Sequence, residues 1–435
     1  MTAPRVTLVS DTELDASALF FVSYDGVVNN NFFQQDALLT HAGLQYATWY
    51  TASRHAVVAR RPLDGPWEHV PLPHRLRADD SHNVISLGIS PTDGALHVAM
   101  DTHDNRIFYT RSAPDVATRP WTPSVFGEVR RTLGGLDLGD ITYPQFLVTP
   151  EGALQLSYRT GRSGDGVNEL AEHTGGRWHA LGAWSSATGD YRAPNGAVST
   201  TRNMYLHGLV YDRRGRLHTA FTWREGDAAV LRDRGGLANH DTGYLYSDDR
   251  GRTWHDDTGA TSGTTGGEPV GVSSPGIVVD PLGPDHGLMN QESLAVDSTG
   301  APHVLISYVP DHRVTDYPRD RARHGRVFHL RRGPGGWIKQ QVPVPPGSTQ
   351  RTKLVLDHAD NAHLVMPRGR IVTASRAAGW TDWTTAFDPA PLRAFGEVNV
   401  DTSRVAVDGV LSVQYQRTST GATPSPIRVA DFRLG

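Results

Sequence analysis

The chain has 435 residues, 42 Lys plus Arg against 46 Asp plus Glu, a formal net charge of −4 and no cysteine. With neither a basic stripe nor an amphipathic basic helix, that balance argues against nucleic acid and membrane surfaces as partners, and the lack of cysteine excludes disulfides and thiolate metal sites. The 45 Gly and 28 Pro punctuate a chain without sustained helical periodicity or any segment of bilayer-spanning length, so an all-β fold is expected.

Residues 1–25 are a leading segment expected to close the fold. They hold only a short apolar patch, 18–22, with no basic leader and no small-residue cleavage site, so the protein is expected to be cytoplasmic, or secreted with its signal already removed. Beyond this segment a short turn runs into an apolar strand seven times. The turn residues are Gly43, Gly94, Gly152, Gly215, Gly300, Asn361 and Gly409, and in all but the first an Asp or Glu lies within the three preceding positions. Strands are predicted at 44–48, 95–100, 153–158, 216–221, 301–307, 362–366 and 410–415. A turn-plus-strand unit recurring every ~50 to 85 residues is the pattern of β-propeller blades, each a small sheet buried against its neighbours. Seven units predict a seven-bladed β-propeller forming one domain over residues 1–435.

Three clusters stand out along the chain. The first is Asp80, Ser81, His82, Asn83 and then Asp101, Thr102, His103. His82 precedes one strand and His103 follows the next, so an antiparallel hairpin brings both imidazoles to one end of the sheet. Two imidazoles with a reference pKa of about 6.5 suit proton transfer near neutral pH. His97, His218, His303 and His363, inside apolar strands at equivalent repeat positions, read instead as buried blade residues. The second cluster is Tyr143 and Pro144, followed by Tyr158, Arg159 and a glycine-rich loop at 161–166. The guanidinium of Arg159 either holds a carboxylate bidentately or makes an interblade salt bridge. The third joins Tyr205 and His207 to Trp223, Arg224 and Glu225, then to Asn239, His240 and Asp241, a mixture of flat rings and polar forks suited to sugars. Asn290, Gln291 and Glu292 repeat this polar character.

Between the last two groups, residues 247–254 read Ser-Asp-Asp-Arg-Gly-Arg-Thr-Trp, the S-x-D-x-G-x-T-W Asp-box. Hairpin chemistry accounts for every residue of it: an Asp that bonds turn amides, a Gly for positive φ and a Trp that covers the blade edge. It marks architecture, not activity. The loops at 256–274 and 310–326 either wall a pocket, with Arg319, Arg321 and Arg323 as anion contacts, or are solvated.

Together these residues resemble the BNR-repeat propellers of carbohydrate-active enzymes. The group includes ulvan lyases, rhamnosyl-glucuronate lyases and related α-L-rhamnosidases, and the likeness is clear over about residues 25–310. It implies a polysaccharide lyase that breaks a rhamnosyl-(1,4)-glucuronate type of linkage by β-elimination at a 4-linked uronic acid. The alternatives are an α-L-rhamnosidase acting on the same bond, or a non-catalytic glycan-binding propeller. Carried onto this chain, the resemblance implies His82 and His103 as the proton-handling pair, Tyr143 as a further acid or base, and Arg159 with Arg224 as carboxylate clamps. Asn83, Tyr158, Tyr205, His207, His240, Asn290 and Gln291 are the expected substrate contacts. No cofactor is required for the chemistry. The zinc-binding cysteines of some ulvan lyases have no counterpart here, which favours the rhamnosyl-glucuronate branch and leaves room for a structural Ca2+. The partner expected is a uronate-containing oligo- or polysaccharide, with the protein a monomer. No arginine-bearing sialidase motif precedes the first blade, which argues against that other owner of Asp-boxes.

Overall fold

Five of the seven apolar strands are launched by an acid that precedes them, Asp93, Asp212, Asp297, Asp357 or Asp408. Asp212 Oδ1 accepts the backbone N–H groups of Arg214 and Arg216 at 2.8 and 2.9 Å. Asp297 does the same for Thr299 and Ala301, and Asp357 for Ala359 and Asn361, all at 2.9 Å. Such turns satisfy backbone donors that the reversal would otherwise strand. The strands that follow are Leu44–Tyr50, Leu96–Met100, Leu154–Arg162, Leu217–Glu225, Pro302–Tyr308, Ala362–Val365 and Val410–Arg417. All seven predicted strands are present. In the sixth unit the left-handed turn residue is Asp360 (φ 59°), one position before Asn361.

The same acids reach into the sheets. Asp212 lies 3.4 Å from His218 Nε2, Asp297 lies 3.6 Å from His303 Nε2, and Asp357 lies 2.9 Å from His363 Nε2. The repeated imidazoles are therefore core groups, as their strand positions predict. His97 is equally buried, with Tyr109 Oη 2.7 Å from its Nδ1; burial, reinforced by the nearby His173 and Arg111, pushes its pKa down to about 3.

The computed structural model describes residues 3–23, 27–32, 36–233 and 235–435, so positions 1, 2, 24 and 25 of the leading segment lie outside the described residues. It divides into two compact units, one of Met1–Leu156, His173–His179 and Asp357–Gly435, the other of Ser157–Glu172 and Ala180–Leu356. In the first unit, Leu38–His41, Leu44–Tyr50, His55–Pro62 and Glu68–Arg75 form an antiparallel meander. Ala394–Asp401, Val410–Arg417 and Ser425–Leu434 form another, whose outer strand is Val6–Ala18, paired from Val6↔Leu434 to Ala18↔Ser425. Ile85–Ile89, Leu96–Met100 and Phe108–Arg111 make a third sheet, packed with the first around Tyr46, Tyr50, Ile85, Leu87, Val98 and Met100.

In the second unit, Val198–Tyr211, Leu217–Glu225, Asn239–Ser247 and Thr253–His255 are successive antiparallel strands, followed by the meander Ser293–Val296, Pro302–Tyr308, Arg326–Gly333 and Gly336–Gln341. The Asp-box turns the chain between Asn239–Ser247 and Thr253–His255. Asp249 Oδ1 accepts from the Ser247 hydroxyl and from the N–H groups of Arg252 and Thr253, at 2.7, 3.1 and 2.7 Å. Gly251 takes φ 79° where a side chain would meet Leu170 at 2.6 Å. Trp254 is wholly buried and stacks on Trp184 at 4.4 Å.

With 51% strand and 8% helix the chain is all-β, and its sheets are propeller-blade meanders. The predicted count of seven blades is not established. Among the described residues six sheets have four or more strands, while the Gly94 unit gives only three. Residues 112–130 hold Pro114, Pro120 and Pro123 and pass through two 3-10 turns, so a fourth strand is reduced to the bridges Tyr109↔Arg130 and Ser112↔Phe126.

Candidate active site

The hairpin of Ile85–Ile89 and Leu96–Met100 sets Ile85 opposite Met100, so the chain before the first strand and after the second leave the sheet at the same end. That register brings His82 and His103 together, with ring centroids 4.4 Å apart and planes 18° from parallel. Asp80 lies between them. Its Oδ1 accepts the His82 N–H and faces His82 Nδ1, both at 2.9 Å, while Oδ2 faces His103 Nδ1 at 2.5 Å. Burial raises the pKa of Asp80, but the hydrogen bonds from His103 and His82 outweigh it and hold the carboxyl far below the usual range.

Neighbouring segments fix this arrangement. Phe32 lies 4.7 Å from the His82 ring, and Tyr143 lies 5.9 Å from His82 and 6.4 Å from His103. Tyr143 has φ 59°, a left-handed conformation that costs an aromatic residue ~1–3 kcal/mol and persists only where its surroundings impose it. The Thr142 hydroxyl donates to Asp104 Oδ1 at 2.7 Å and so ties Tyr143's strand to the His103 loop. Within that loop Asp101 donates its N–H to Tyr50 Oη and accepts from the Arg77 N–H, both at 3.0 Å, and Asn105 Oδ1 accepts the His103 N–H at 2.7 Å. Asn83 is 6% exposed, and its side-chain oxygen has no hydrogen-bond partner among the described residues.

The second unit holds the remaining predicted residues. The Arg224 guanidinium lies 5.0 Å over the Tyr205 ring, with Nε donating to Asn239 Oδ1 at 2.6 Å and Nη2 to Asn290 Oδ1 at 3.4 Å. Asn290 Nδ2 donates to Gln291 Oε1 at 3.1 Å, and the Tyr205 hydroxyl donates to Ser163 Oγ at 3.0 Å. Tyr205, Arg224, Asn290 and Gln291 are thus one polar group. Tyr158 donates to Glu169 at 3.2 Å, where burial and that carboxylate push its pKa up, and Arg159 is buried beside it in sequence.

Two of the expected substrate contacts, His207 and His240, lie inside strands. His207 is buried, and its Nδ1 accepts the Glu292 N–H at 2.9 Å; burial, with Arg351 nearby, depresses its pKa to about 3. His240 is buried with Nε2 2.9 Å from Glu225 Oε1, Nδ1 2.9 Å from Asp241 Oδ2, and its ring 3.7 Å from Tyr191. Val198–Tyr211 runs past position 207 and Asn239–Ser247 begins before 240, so both rings are carried by strands. The stretch expected as a loop at 310–326 contains the helix Tyr317–His324, capped by Asp316, and Arg321 is buried with Nη2 donating to Ser307 Oγ at 2.9 Å.

Asp80, His82 and His103 are the one group of three or more His, Cys, Asp or Glu side chains, among the described residues, whose donor atoms lie within 4.8 Å of one another. Tetrahedral zinc with bonds of about 2.0–2.1 Å sets its ligand atoms ~3.3 Å apart, so contacts of 2.9 and 2.5 Å fit shared protons better than an ion. Two imidazoles and one carboxylate also lack the oxygen-rich donor set of Ca2+. A cavity of about 530 Å³ in the first unit, lined by Tyr109, Arg111, Phe126, Arg130, His173 and Trp178 among others, includes none of the predicted site residues.

Blade meanders, one of them turning through an Asp-box, mark a repeat protein of the propeller type. The chain belongs to the BNR repeat-containing family, which it matches over residues 44–344. It is 28% identical over 237 residues to the long isoform of ulvan lyase from an Alteromonas species, and 27% identical over 237 residues to that from Pseudoalteromonas sp. (strain PLSV). These stretches cover 44% of this chain and 23% of each relative's length. The crystal structure of polysaccharide lyase Uly1 shares its fold, with a TM-score of 0.75 at 17% identity over 98% of this chain and 99% of that one. A PL25 ulvan lyase bound to -[GlcA(1-4)Rha3S]- superposes with a TM-score of 0.62 at 14% identity over 94% of both chains.

Proposed function

We propose that this protein is a polysaccharide lyase that cleaves the bond to C4 of a uronic acid by β-elimination, with rhamnosyl-(1,4)-glucuronate as its substrate class. The observation that carries the reading is the stacked His82–His103 pair on Asp80, since elimination needs a base and an acid at one place. In the reaction a base takes the C5 hydrogen, the C4–O4 bond breaks with its electron pair leaving on oxygen, a C4=C5 double bond forms, and an acid protonates O4. One imidazole serves as base; the other, or Tyr143, serves as acid. The C6 carboxylate must be neutralised for C5 to be acidic, and guanidinium groups do this well. Arg159 and Arg224 are proposed for that role on their residue type. The likeness to ulvan lyases supports the same class of reaction.

The test is incubation with a rhamnosyl-glucuronate oligosaccharide while ultraviolet absorbance is followed. Growth of absorbance from the conjugated, unsaturated uronate is expected. Rhamnose release without it would instead select hydrolysis, and binding without either product would select a glycan-binding role.

A further inference from the structure

We propose that Asp80 is a positioning residue that sets His82 and His103 in the same tautomer, with the proton on Nδ1 and the basic lone pair on Nε2 of each neutral ring. An ionised carboxylate only accepts hydrogen bonds, so each imidazole nitrogen facing it must be a donor. Asp80 faces Nδ1 of both rings, through Oδ1 for His82 at 2.9 Å and through Oδ2 for His103 at 2.5 Å. A single side chain therefore decides which nitrogen of two separate residues does chemistry.

Asp80 is itself held. Its N–H donates to Ala78 O and its carbonyl accepts the Asn83 N–H, both at 3.1 Å, while Oδ1 takes the His82 N–H at 2.9 Å. The adjacent Ser81 is anchored to Ser23 through hydroxyls 2.6 Å apart. The carboxylate is thus fixed before either ring is placed against it. The rings then stack at 4.4 Å and 18°, with Asp104 Oδ2 3.9 Å from His103 Nε2, beyond hydrogen-bond distance. Where the second imidazole is the acid, base and acid are built from the same tautomer and differ only in which ring carries the extra proton.

The kinetic part of this inference rests on the lyase reading; the spectroscopic part does not. The experiment uses the full chain labelled with 15N at histidine. In the wild-type protein, nitrogen chemical shifts of His82 and His103, assigned by single His→Gln variants, are expected to show Nδ1–H and an unprotonated Nε2 in both neutral rings. Asp80→Asn replaces an acceptor oxygen with an amide donor, so at least one ring is expected to switch to the Nε2–H tautomer. Its kcat should fall about 10²-fold or more while KM stays within about 3-fold, and Asp80→Glu should recover part of kcat. An Nε2–H tautomer in the wild type, or wild-type kcat in Asp80→Asn, overturns the proposal. So does stoichiometric binding of Zn2+ alone with loss of the Nδ1 protons. If Asp80→Asn does not fold by circular dichroism, the wild-type shifts decide. If they are as expected but no uronate polymer is turned over, the lyase reading fails and Asp80's control of both rings stands.

Discussion

Two clusters of imidazole and carboxylate in this molecule have inverse composition. In the first unit Asp80 sits between two imidazoles; in the second His240 sits between two carboxylates, Glu225 and Asp241. The side chains of His82, His103 and Asp80 are 13, 18 and 21% exposed, whereas those of His240 and Glu225 are 0% exposed. For His240 burial lowers the pKa, but Asp241 and Glu225 outweigh it and raise it above the usual imidazole value; for Glu225 burial raises the pKa, but His240 and Arg202 outweigh it and lower it. Residue type does not separate the two. The solvent access of the imidazoles does: Asp241 and Asp80 are both 21% exposed, but His240 is sealed, whereas His82 and His103 have atoms a substrate can reach.

Substituting each cluster should break the comparison from opposite sides. The largest effect is expected for His103→Ala, with turnover lost by about 10²–10⁴-fold in initial-rate assays and the melting temperature little changed. Glu225→Gln should do the reverse. It removes the carboxylate that Arg202 and His240 share at 2.8 and 2.9 Å, and breaking a buried pair costs about 3–5 kcal/mol, read from denaturant unfolding.

pH sharpens the contrast. His207 is neutral when folded, with its pKa lowered to about 3, so the unfolded chain takes up its proton first as pH falls. Its contribution to stability is full above pH ~6.5 and is lost as pH falls toward 3. His240, whose pKa is raised, behaves oppositely: its contribution is full below about 6.5 and is lost as pH rises through the folded value. Melting temperatures of His207→Leu measured from pH 7 to about 4 should therefore fall less steeply than those of the wild type. The smallest effect is expected for Asp249→Ala, which loses the three Asp-box bonds at a cost of about 1–2 kcal/mol in denaturant unfolding and leaves turnover unchanged.

The strands were legible because each follows a Gly or Asn turn, acid-bearing in all but the first, and the His82–His103 pair because hairpin register alone places positions 82 and 103 at one end. The third sheet's missing strand was less so, since counting turns does not count strands. Phe32 beneath His82 was not legible, because it comes from outside the repeat and only tertiary packing brings it there. The burial of His207 and His240 was not legible, because sequence gives strand existence better than strand ends, and one or two positions decide whether a ring is sealed. The helix Tyr317–His324 did leave a signal, Asp316 followed by Pro318 in its first turn, which the run of charges at 319–324 obscured.

Pairing of Val6–Ala18 with Ser425–Leu434 joins positions as distant as Ser10 and Asp431, which are 421 residues apart and 2.6 Å from each other. On the ribosome the earlier strand, carrying the exposed Leu8 and Val9, must wait with its ladder unsatisfied until nearly all of this sequence has emerged. The nascent chain therefore has a long aggregation-sensitive interval. A circular permutant that links residues 5 and 435, whose backbones already hydrogen-bond, would make the two strands a local hairpin and shorten that interval.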